Sequence, residues 1–502
     1  MPDGGQGLDK CTGAGRVRYG GVSAGFVHML GVNGISMSGL AEILLSRGVR
    51  LSGSDLTHSD RTERLKELGA VIYRGNAADH IDGGDPPDLL VYTAAAGPDN
   101  PERMRAAELG VKSVDRAELL GAIMAAHKTS IAVAGTHGKT TTSAMIAAIL
   151  LAAGFDPTIN IGGEFAMIGG TSRIGGNEMF LAEACEYVDS FLKLHPTIGV
   201  ITNIEYDHTD YFRDIEQLRA SFARYAGQSG VFTVVNADDA NVTAIRAGWV
   251  ANRTGEPDDP GRGAAPASGE GPEWLLFGIE SADADVKATD ISYDDAGNGT
   301  FTLVSGAHDR SVRVRLRVPG PHNVYNALAA AAASVAAGCT FEAAAAGLEL
   351  FGGVGKRFEY KGRVDGYDIV DDYAHHPTAV GLALGTARKY ARGGRVLCVF
   401  HPHTYTRTRT FLAEFAEAFL AADQVLLADI FPAREADPGD ISSAMLADRI
   451  NKLGGRAAYF GGGFPAIAEW VRANAKPGDL VLTMGAGHSS VVADILLGGK
   501  KC

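Results

Sequence analysis

The chain of 502 residues, 46 % apolar and 21 % charged, has room for about three domains of roughly 150 residues each and the balance of an ordinary globular protein. Its formal net charge of −13 argues against a general nucleic-acid or anionic-membrane binder, whose affinity comes from basic patches on phosphate. A local basic pocket for a phosphorylated small molecule stays open.

Cys11, Cys185, Cys339, Cys398 and Cys502 are scattered, with no C-x-x-C pair. They fit a reducing cytosol and no structural zinc site. No apolar run reaches the roughly 18 residues of a membrane span. The opening MPDGGQGLDKCTGAG is Gly-rich and lacks the apolar stretch of a secretory signal. Residues 1–25 are expected to be a mostly disordered extension.

From 26 to 125, FVHMLGV, VRLSGSD, VIYRG and LLVYTAA read as strands, separated by the helical SMSGLAEILLSRG, RTERLKELGA and PERMRAAELG. Such alternation predicts a parallel sheet covered by helices. The first strand-to-helix turn, Gly31 to Gly39 (GVNGISMSG), departs from G-x-G-x-x-G because Asn33 stands at the second glycine. Asn tolerates positive φ better than most residues, so the turn can still form. Asp55 ends the second strand about 20 residues on, where a ribose or diphosphate contact is expected.

The second unit, 126–345, opens with the strand IAVAGT and the stretch VAGTHGKTTTSAM. This resembles the phosphate loop G-x-x-x-x-G-K-[ST] with Val133 at the upstream glycine. Gly135, Thr136, His137, Gly138, Lys139, Thr140 and Thr141 are candidate nucleotide contacts. Backbone N–H groups at the start of a helix favour phosphate. Lys139 adds a point charge, and the Thr140 hydroxyl suits Mg²⁺. EACE (183–186) and TNIEYDH (202–208) end the next two strands, bringing Glu183 and His208 toward the loop as candidate ligands of a divalent ion. The Pro/Gly/Ala-rich stretch 255–272 is expected to be a mobile surface insertion. DVKATDISYDD and SVRVRLRV alternate as antiparallel strands do. In HNVYNALAA, Asn323 and Asn326 share one helix face by i, i+3 spacing, and an amide can read the edge of adenine.

The third unit, 346–502, alternates RVLCVFHPH, ADQVLLADIF, AAYFGG and DLVLTMGAG with helical stretches, a second doubly wound sheet. DDYAHHP (371–377) and HPHTYTRTRT (401–410) gather histidines, which relay protons near neutral pH, with Arg407 and Arg409, which bind anions bidentately. The fold class is therefore α/β: a Rossmann-like unit, a phosphate-loop unit and a second Rossmann-like unit, each on a largely parallel sheet. Ligands are expected at strand C-terminal ends and between units.

GTHGKTTT, EACEYVDSFL, TNIEYDHTDYF, GPHNVYNALAA, KRFE, DDYAHHPT and HPHTYTRTR, in this order, resemble the Mur ligase family over about residues 26–490. GVNGISMSGLAEIL, SGSDL, YTAAAGPDNPE and DIFPARE are most similar to the branch that adds the first amino acid. The resemblance implies a substrate unit, a central ATPase unit and a C-terminal unit that brings the amino acid. It implies three small-molecule substrates, UDP-N-acetylmuramate (UDP-MurNAc), L-alanine and ATP, with two Mg²⁺ ions, in the cytoplasm. The lactyl carboxylate of the sugar would attack the γ-phosphate, and the amine of L-alanine would attack the acyl phosphate.

By matching motif, Lys139 and Thr140 would bind triphosphate and Mg²⁺, and Glu183 and His208 a second Mg²⁺. Asn326, with Asn323, would contact adenine; Arg357 and Tyr373 would close on ATP. Gly31, Asn33, Gly34, Ser36, Ser54, Asp55 and Thr93 would meet the UDP substrate. His375, His403 and Arg407 would face alanine and the transferred phosphate, with His375 or His208 as the base for the amine. Two departures stand out: Asn33 for a family glycine, and Thr404 where many members carry arginine. The helix after TNIEYDH offers Arg219 and Arg224 but no lysine, so no carbamylated residue is expected. The alternatives are a recycling ligase that takes a preformed tripeptide, and a protein using ATP as a conformational switch in cell-wall assembly.

Overall fold

The computed structural model describes residues 15–499, apart from 20, 83, 255–270, 307 and 308. The insertion expected at 255–272 thus lies almost wholly outside the described residues, as do 1–14 of the expected extension. Within the rest of that extension, Val17–Tyr19 pairs antiparallel with Val22–Ala24, and Val17 and Ala24 are buried. The glycines on either side hid a short run whose apolar residues find a core.

The first unit carries five parallel strands in the order Val71–Arg74, Arg50–Asp55, Phe26–Leu30, Leu89–Tyr92, Lys112–Asp115. Strand order reverses between Phe26–Leu30 and Leu89–Tyr92, which opens a crevice at their C-terminal ends. Helices cover both faces, so the strands on either side of this switch, Phe26–Leu30 and Leu89–Tyr92, are nearly continuous apolar runs. Within them His28 is the exception. Fully buried, it lies 2.8 Å from Ser52 Oγ and 2.9 Å from Glu102 Oε2, so its ring nitrogens are satisfied.

The second unit holds a ten-stranded sheet. The strand Thr129–Ala134 lies in its parallel part, between Met179–Glu183 and Ile198–Ile201. Register sets Glu183 beside Val133 and Ile201 beside Ala134. The segments after all three strands therefore emerge together. The far edge, Val286–Tyr293, Asn298–Ser305 and Ser311–Pro319, is antiparallel as its alternation predicts. The helix Lys139–Ala152 is apolar all round after its threonines and is buried all round. It packs on the Ala-rich helix His322–Ala336 and on Phe341–Leu350. Small residues let the backbones approach closely: a Cβ on Gly347 would stand 2.4 Å from Ile149 Cα.

The third unit orders six strands as Glu359–Val364, Tyr367–Asp372, Leu480–Met484, Val396–Phe400, Gln424–Leu427, Ala457–Tyr459; all neighbours except the first pair run parallel. Its two apolar clusters lie one on each face of this sheet. DDYAHHP follows Tyr367–Asp372, and HPHTYTRTRT follows Val396–Phe400. Both point toward the central unit, where Arg407 pairs with Asp207 and His376 meets the Tyr206 carbonyl.

Candidate active site

Gly135 (φ +135°) and Gly138 (φ +83°) bend the phosphate loop through conformations that side chains resist. Each is also crowded: a Cβ would stand 2.0 Å from Thr202 Oγ1 at Gly135 and 2.3 Å from Asn326 Oδ1 at Gly138. The loop is tied down on one side. Thr136 N donates to Asn203 O (3.1 Å) and His137 N to Asn203 Oδ1 (2.9 Å). The helix then starts at Lys139 with no side-chain cap. Its first N–H groups, which have no partner within the helix, face the loop's mouth, as an anion site requires.

Lys139 Nζ lies 3.0 Å from Glu186 Oε1 and also donates to the Gly135 and Thr136 carbonyls. Burial works against its charge, but the Glu186 carboxylate outweighs it and holds the ammonium pKa above its ordinary value. Glu186 is 1 % exposed. Burial would raise its carboxyl, and Lys139 with His208 brings it below the usual range instead.

The neighbouring corner is made of oxygen. Thr140 Oγ1 donates to Glu183 Oε2 (3.1 Å), and Gly162 N donates to Glu183 Oε1 (2.6 Å). Arg357, from the third unit, reaches in with Nη2 3.2 Å from Thr140 Oγ1 while its guanidinium lies 4.6 Å over the Tyr373 ring. A hydroxyl and a carboxylate suit a hard divalent cation such as Mg²⁺. His208 does not join them: its Nε2 is 3.4 Å from Glu186 Oε1. Glu183 thus lies against the loop, and His208 one group further out, on Glu186, which stands between Lys139 and His208 and which the strand-end argument does not single out. EACE offers acids at both ends, and spacing alone cannot rank them.

Across the mouth, Arg407 is 6 % exposed and Asp207 4 %. Arg407 Nε donates to Asp207 Oδ1 at 2.8 Å, joining the third unit to the second. Burial opposes the Asp207 charge, yet Arg407 holds its carboxyl far below the usual carboxylate range. Arg407 Nη1 also donates to His403 Nδ1 (2.9 Å) and O (2.7 Å). His403 is pushed down to about 4 by burial and by Arg407. His375 donates from Nδ1 to the Tyr373 carbonyl (2.8 Å), which leaves Nε2 as acceptor. Burial, then Arg407, lowers it well below 6.5, so its imidazole is neutral at physiological pH. Arg409 turns away to pair with exposed Asp440. Thr404 and Thr406 both donate to Glu435, so the departure at Thr404 supplies a carboxylate anchor in place of a cation.

Asn323 and Asn326 are both buried, 7 % and 6 % exposed. Asn326 Nδ2 donates to Asn323 Oδ1 (3.0 Å), Asn323 Nδ2 to Pro319 O (2.7 Å), and Thr142 Oγ1 to Asn326 Oδ1 (3.3 Å). This sets Asn326 behind Gly138, at the phosphate end of the site.

In the first unit, the positive φ falls on Gly31 (+74°), not on Asn33, so the turn forms without calling on asparagine's tolerance of that region. Gly31 packs against Thr93, whose Cγ2 would be 2.5 Å from a Cβ. Asn33 instead fastens the turn, donating from N to Asp55 Oδ2 and from Nδ2 to Thr57 Oγ1, each at 3.0 Å. Asp55 also accepts from Thr57 N, so its oxygens brace the turn. Ser54 is fully buried with its hydroxyl on Glu102 Oε2 (2.8 Å). That side chain serves the His28–Glu102 network and does not face the crevice, contrary to its assignment as a UDP contact. Gly34 caps the helix Ile35–Ser46 without a side-chain bond. Ser36 Oγ accepts from Arg116 Nη1 (3.0 Å) and lies 3.5 Å from Asn160 Oδ1.

A fold of three α/β units, the third reaching onto a phosphate loop in the second, defines a class, and the comparisons with known proteins agree. Residues 26–128 match "Mur ligase family, catalytic domain", residues 133–254 and 257–334 "Mur ligase middle domain", and residues 356–487 "Mur ligase, glutamate ligase domain". The chain belongs to the Mur ligase family, and it is an ATP-dependent, amide-forming ligase. It is 45 % identical over 478 residues to the UDP-N-acetylmuramate--L-alanine ligase of Acetivibrio thermocellus, covering 95 % of this chain and 96 % of that one. The enzyme of the same name from Agathobacter rectalis is 44 % identical over 474 residues, 94 % of this chain and 97 % of that one. Among solved structures, the UDP-N-acetylmuramate-alanine ligase of Thermotoga maritima superposes with a TM-score of 0.74 at 25 % identity, covering 94 % of this chain and 98 % of that one.

Proposed function

We propose that this chain ligates L-alanine to the lactyl carboxylate of UDP-MurNAc through an acyl phosphate, a step of peptidoglycan precursor synthesis. The observation that carries the reading is one mouth built from distant motifs: Lys139 and Thr140, Glu183, and Arg357 of the third unit. The strand Thr158–Phe165 links this mouth to the first unit, since Asn160 lies beside Ser36 while Gly162 N holds Glu183. A sugar-nucleotide in the crevice at Gly31 and Gly34 would point its acid toward that corner. The names of the relatives support L-alanine as the amino acid.

Two anions, the carboxylate and the triphosphate, must come together. Lys139 and the helix N-terminus stabilise the charge on the transferred phosphoryl group, and Arg357 closes over it. Mg²⁺ fits Thr140 and Glu183, with His208 and Glu186 flanking a second position; when bound, such ions offset the repulsion between the anions. The attacking amine must be unprotonated, and free α-amino groups titrate near pH ~8. Neutral His375, with Nε2 as acceptor, stands beside His403 and Arg407 and offers an acceptor for the proton that the nitrogen releases as its bond to the acyl carbon forms. Closure of the third unit shields the acyl phosphate from water. The free Cys185, Cys339 and Cys398 fit work in a reducing cytoplasm. No helix among the described residues is long and apolar enough to cross a membrane.

The test is ADP release with Mg²⁺, ATP and L-alanine, comparing UDP-MurNAc with UDP-N-acetylglucosamine, which lacks the lactyl carboxylate. Turnover is expected with the first alone. Turnover with a tripeptide but not with L-alanine would overturn the amino-acid assignment, and no ADP release with any amino acid would overturn the reaction.

A further inference from the structure

Away from Thr140 and Glu183, three ligand-bearing side chains converge: His137, Glu205 and His376. Each supplies one atom, and these atoms lie within 4.8 Å of one another. His137 Nε2 is 2.8 Å from Glu205 Oε2, and His376 Nδ1 is 3.8 Å from the same oxygen. They come from three places in the chain: the phosphate loop, the segment after Ile198–Ile201, and the start of the helix Pro377–Tyr390 in the third unit.

His376 gives the independent sign of a ligand. It is 3 % exposed. Its Nε2 lies 3.1 Å from the Tyr206 carbonyl, which can only accept, so Nε2 carries the proton and Nδ1 a lone pair. That Nδ1 is buried and has no hydrogen-bond partner. A buried acceptor without a donor is costly and calls for an explanation. An electron-pair acceptor between it and Glu205 Oε2 supplies one. The other Glu205 oxygen already accepts from Thr378 Oγ1, which orients the carboxylate as the outer partner of a ligand does. His137 and Glu205 keep 22 % and 39 % of their side chains exposed, leaving a path for an ion and room for water as a further ligand.

Two imidazoles and a carboxylate suit Zn²⁺, whereas Mg²⁺ favours oxygen and water. Zinc–nitrogen bonds of ~2.0–2.1 Å would need the rings to draw together by about an ångström. We infer that His137, Glu205 and His376 form a Zn²⁺-class site, separate from the Mg²⁺ corner, that fastens the third unit to the phosphate loop. The cysteines gave no hint of it, because none of them takes part.

The test uses the full-length protein, stripped of metal and returned to excess Mg²⁺, and titrated with Co²⁺ while visible absorption is followed. One equivalent should produce the intense bands of four-coordinate Co²⁺, and Zn²⁺ should displace them. Glu205→Gln and His376→Gln should each weaken Zn²⁺ binding by more than the ~10–100-fold typical of losing an outer partner, while His208→Ala leaves it unchanged. X-ray absorption of the Zn²⁺-loaded wild type, which needs no variant to fold, should show two imidazoles and no sulfur. Failure of the wild type to bind, binding that survives both glutamine variants, loss in His208→Ala, or a sulfur ligand would each overturn the assignment. None of these readouts requires turnover, so the ligase reading stands or falls separately.

Discussion

The segments Gly135–Thr141 and Gly31–Gly34 occupy the same place in their units, between a buried parallel strand and the helix after it. Their supports differ. The phosphate loop is held by groups far along the chain: Asn203, Glu186, Asn326 and, from another unit, Arg357. Glu186 is a buried charge, and Arg357 is a half-buried one. The first-unit turn is held by near neighbours, Asp55, Thr57, Ser59 and Arg61, through Asn33. Long-range charged support couples the central chemistry to the position of the third unit. Short-range support leaves the sugar-nucleotide turn energetically on its own, so changes there should alter affinity and spare the chemical step.

The largest expected effect breaks the charged side of this contrast. Lys139→Ala should lower ADP release by about 10³-fold. It also leaves Glu186 buried without its cation, so stability should fall as well. The double variant Lys139→Ala/Glu186→Gln should regain stability by chemical denaturation while ADP release stays lost; near-normal turnover in Lys139→Ala would refute the role of Lys139. Next comes Asp207→Asn, which strands Arg407. Breaking a buried pair from one side costs about 3–5 kcal/mol, and this should appear both in denaturant unfolding and as easier proteolysis between the second and third units. Replacing both partners, Asp207→Leu with Arg407→Met, should recover much of the stability and none of the turnover.

A buried acid with no ion-pair partner among the described residues sharpens the point. Asp371 is 2 % exposed, and burial pushes its carboxyl up to about 6 from 3.8. The folded form keeps this proton up to about pH 6, while the unfolded chain releases it near pH 4, so stability falls as pH rises through that window and is flat above it. Asp371→Asn, still able to accept from Thr483, should change little below pH ~4 and stabilise by up to about 3 kcal/mol above pH ~6, as followed by unfolding across pH. The smallest effect is expected in the first unit. Asn33→Ala removes neutral hydrogen bonds worth about 1 kcal/mol. It should raise KM for UDP-MurNAc about fivefold, with kcat and the KM for ATP unchanged. A fall in kcat would dissolve the distinction between the two regions.

Legibility in the sequence followed the same divide. Strand and helix alternation showed three α/β units, and Gly138-Lys139-Thr140 marked the phosphate site, because local pattern and backbone geometry determine both. Glu183 could be placed because strand ends meet in a parallel sheet. Glu186 and Asp207 lie within recognisable motifs, but the sequence does not single them out, since an acid's partner is set by tertiary packing: Lys139 lies 47 residues from Glu186 and Arg407 lies 200 from Asp207. Ser54 misled for the opposite reason. The family resemblance implied a UDP contact there, but side chains alternate along a strand, and this one turns inward to Glu102. The hairpin at Val17–Ala24 was missed because its two short strands are separated by glycines that read as disorder.

The contact between Gly347 and Ile149, together with the Ala-rich helix beneath Gly138, has a consequence for how this enzyme tolerates change. The helix that carries Lys139 and Thr140 at its tip rests on a layer whose thickness is set by hydrogen atoms and methyl groups. That layer works as a shim. A single bulkier side chain in it, remote from every substrate, would tilt the cradle and be registered as a catalytic defect in a protein whose reactive groups are all still present.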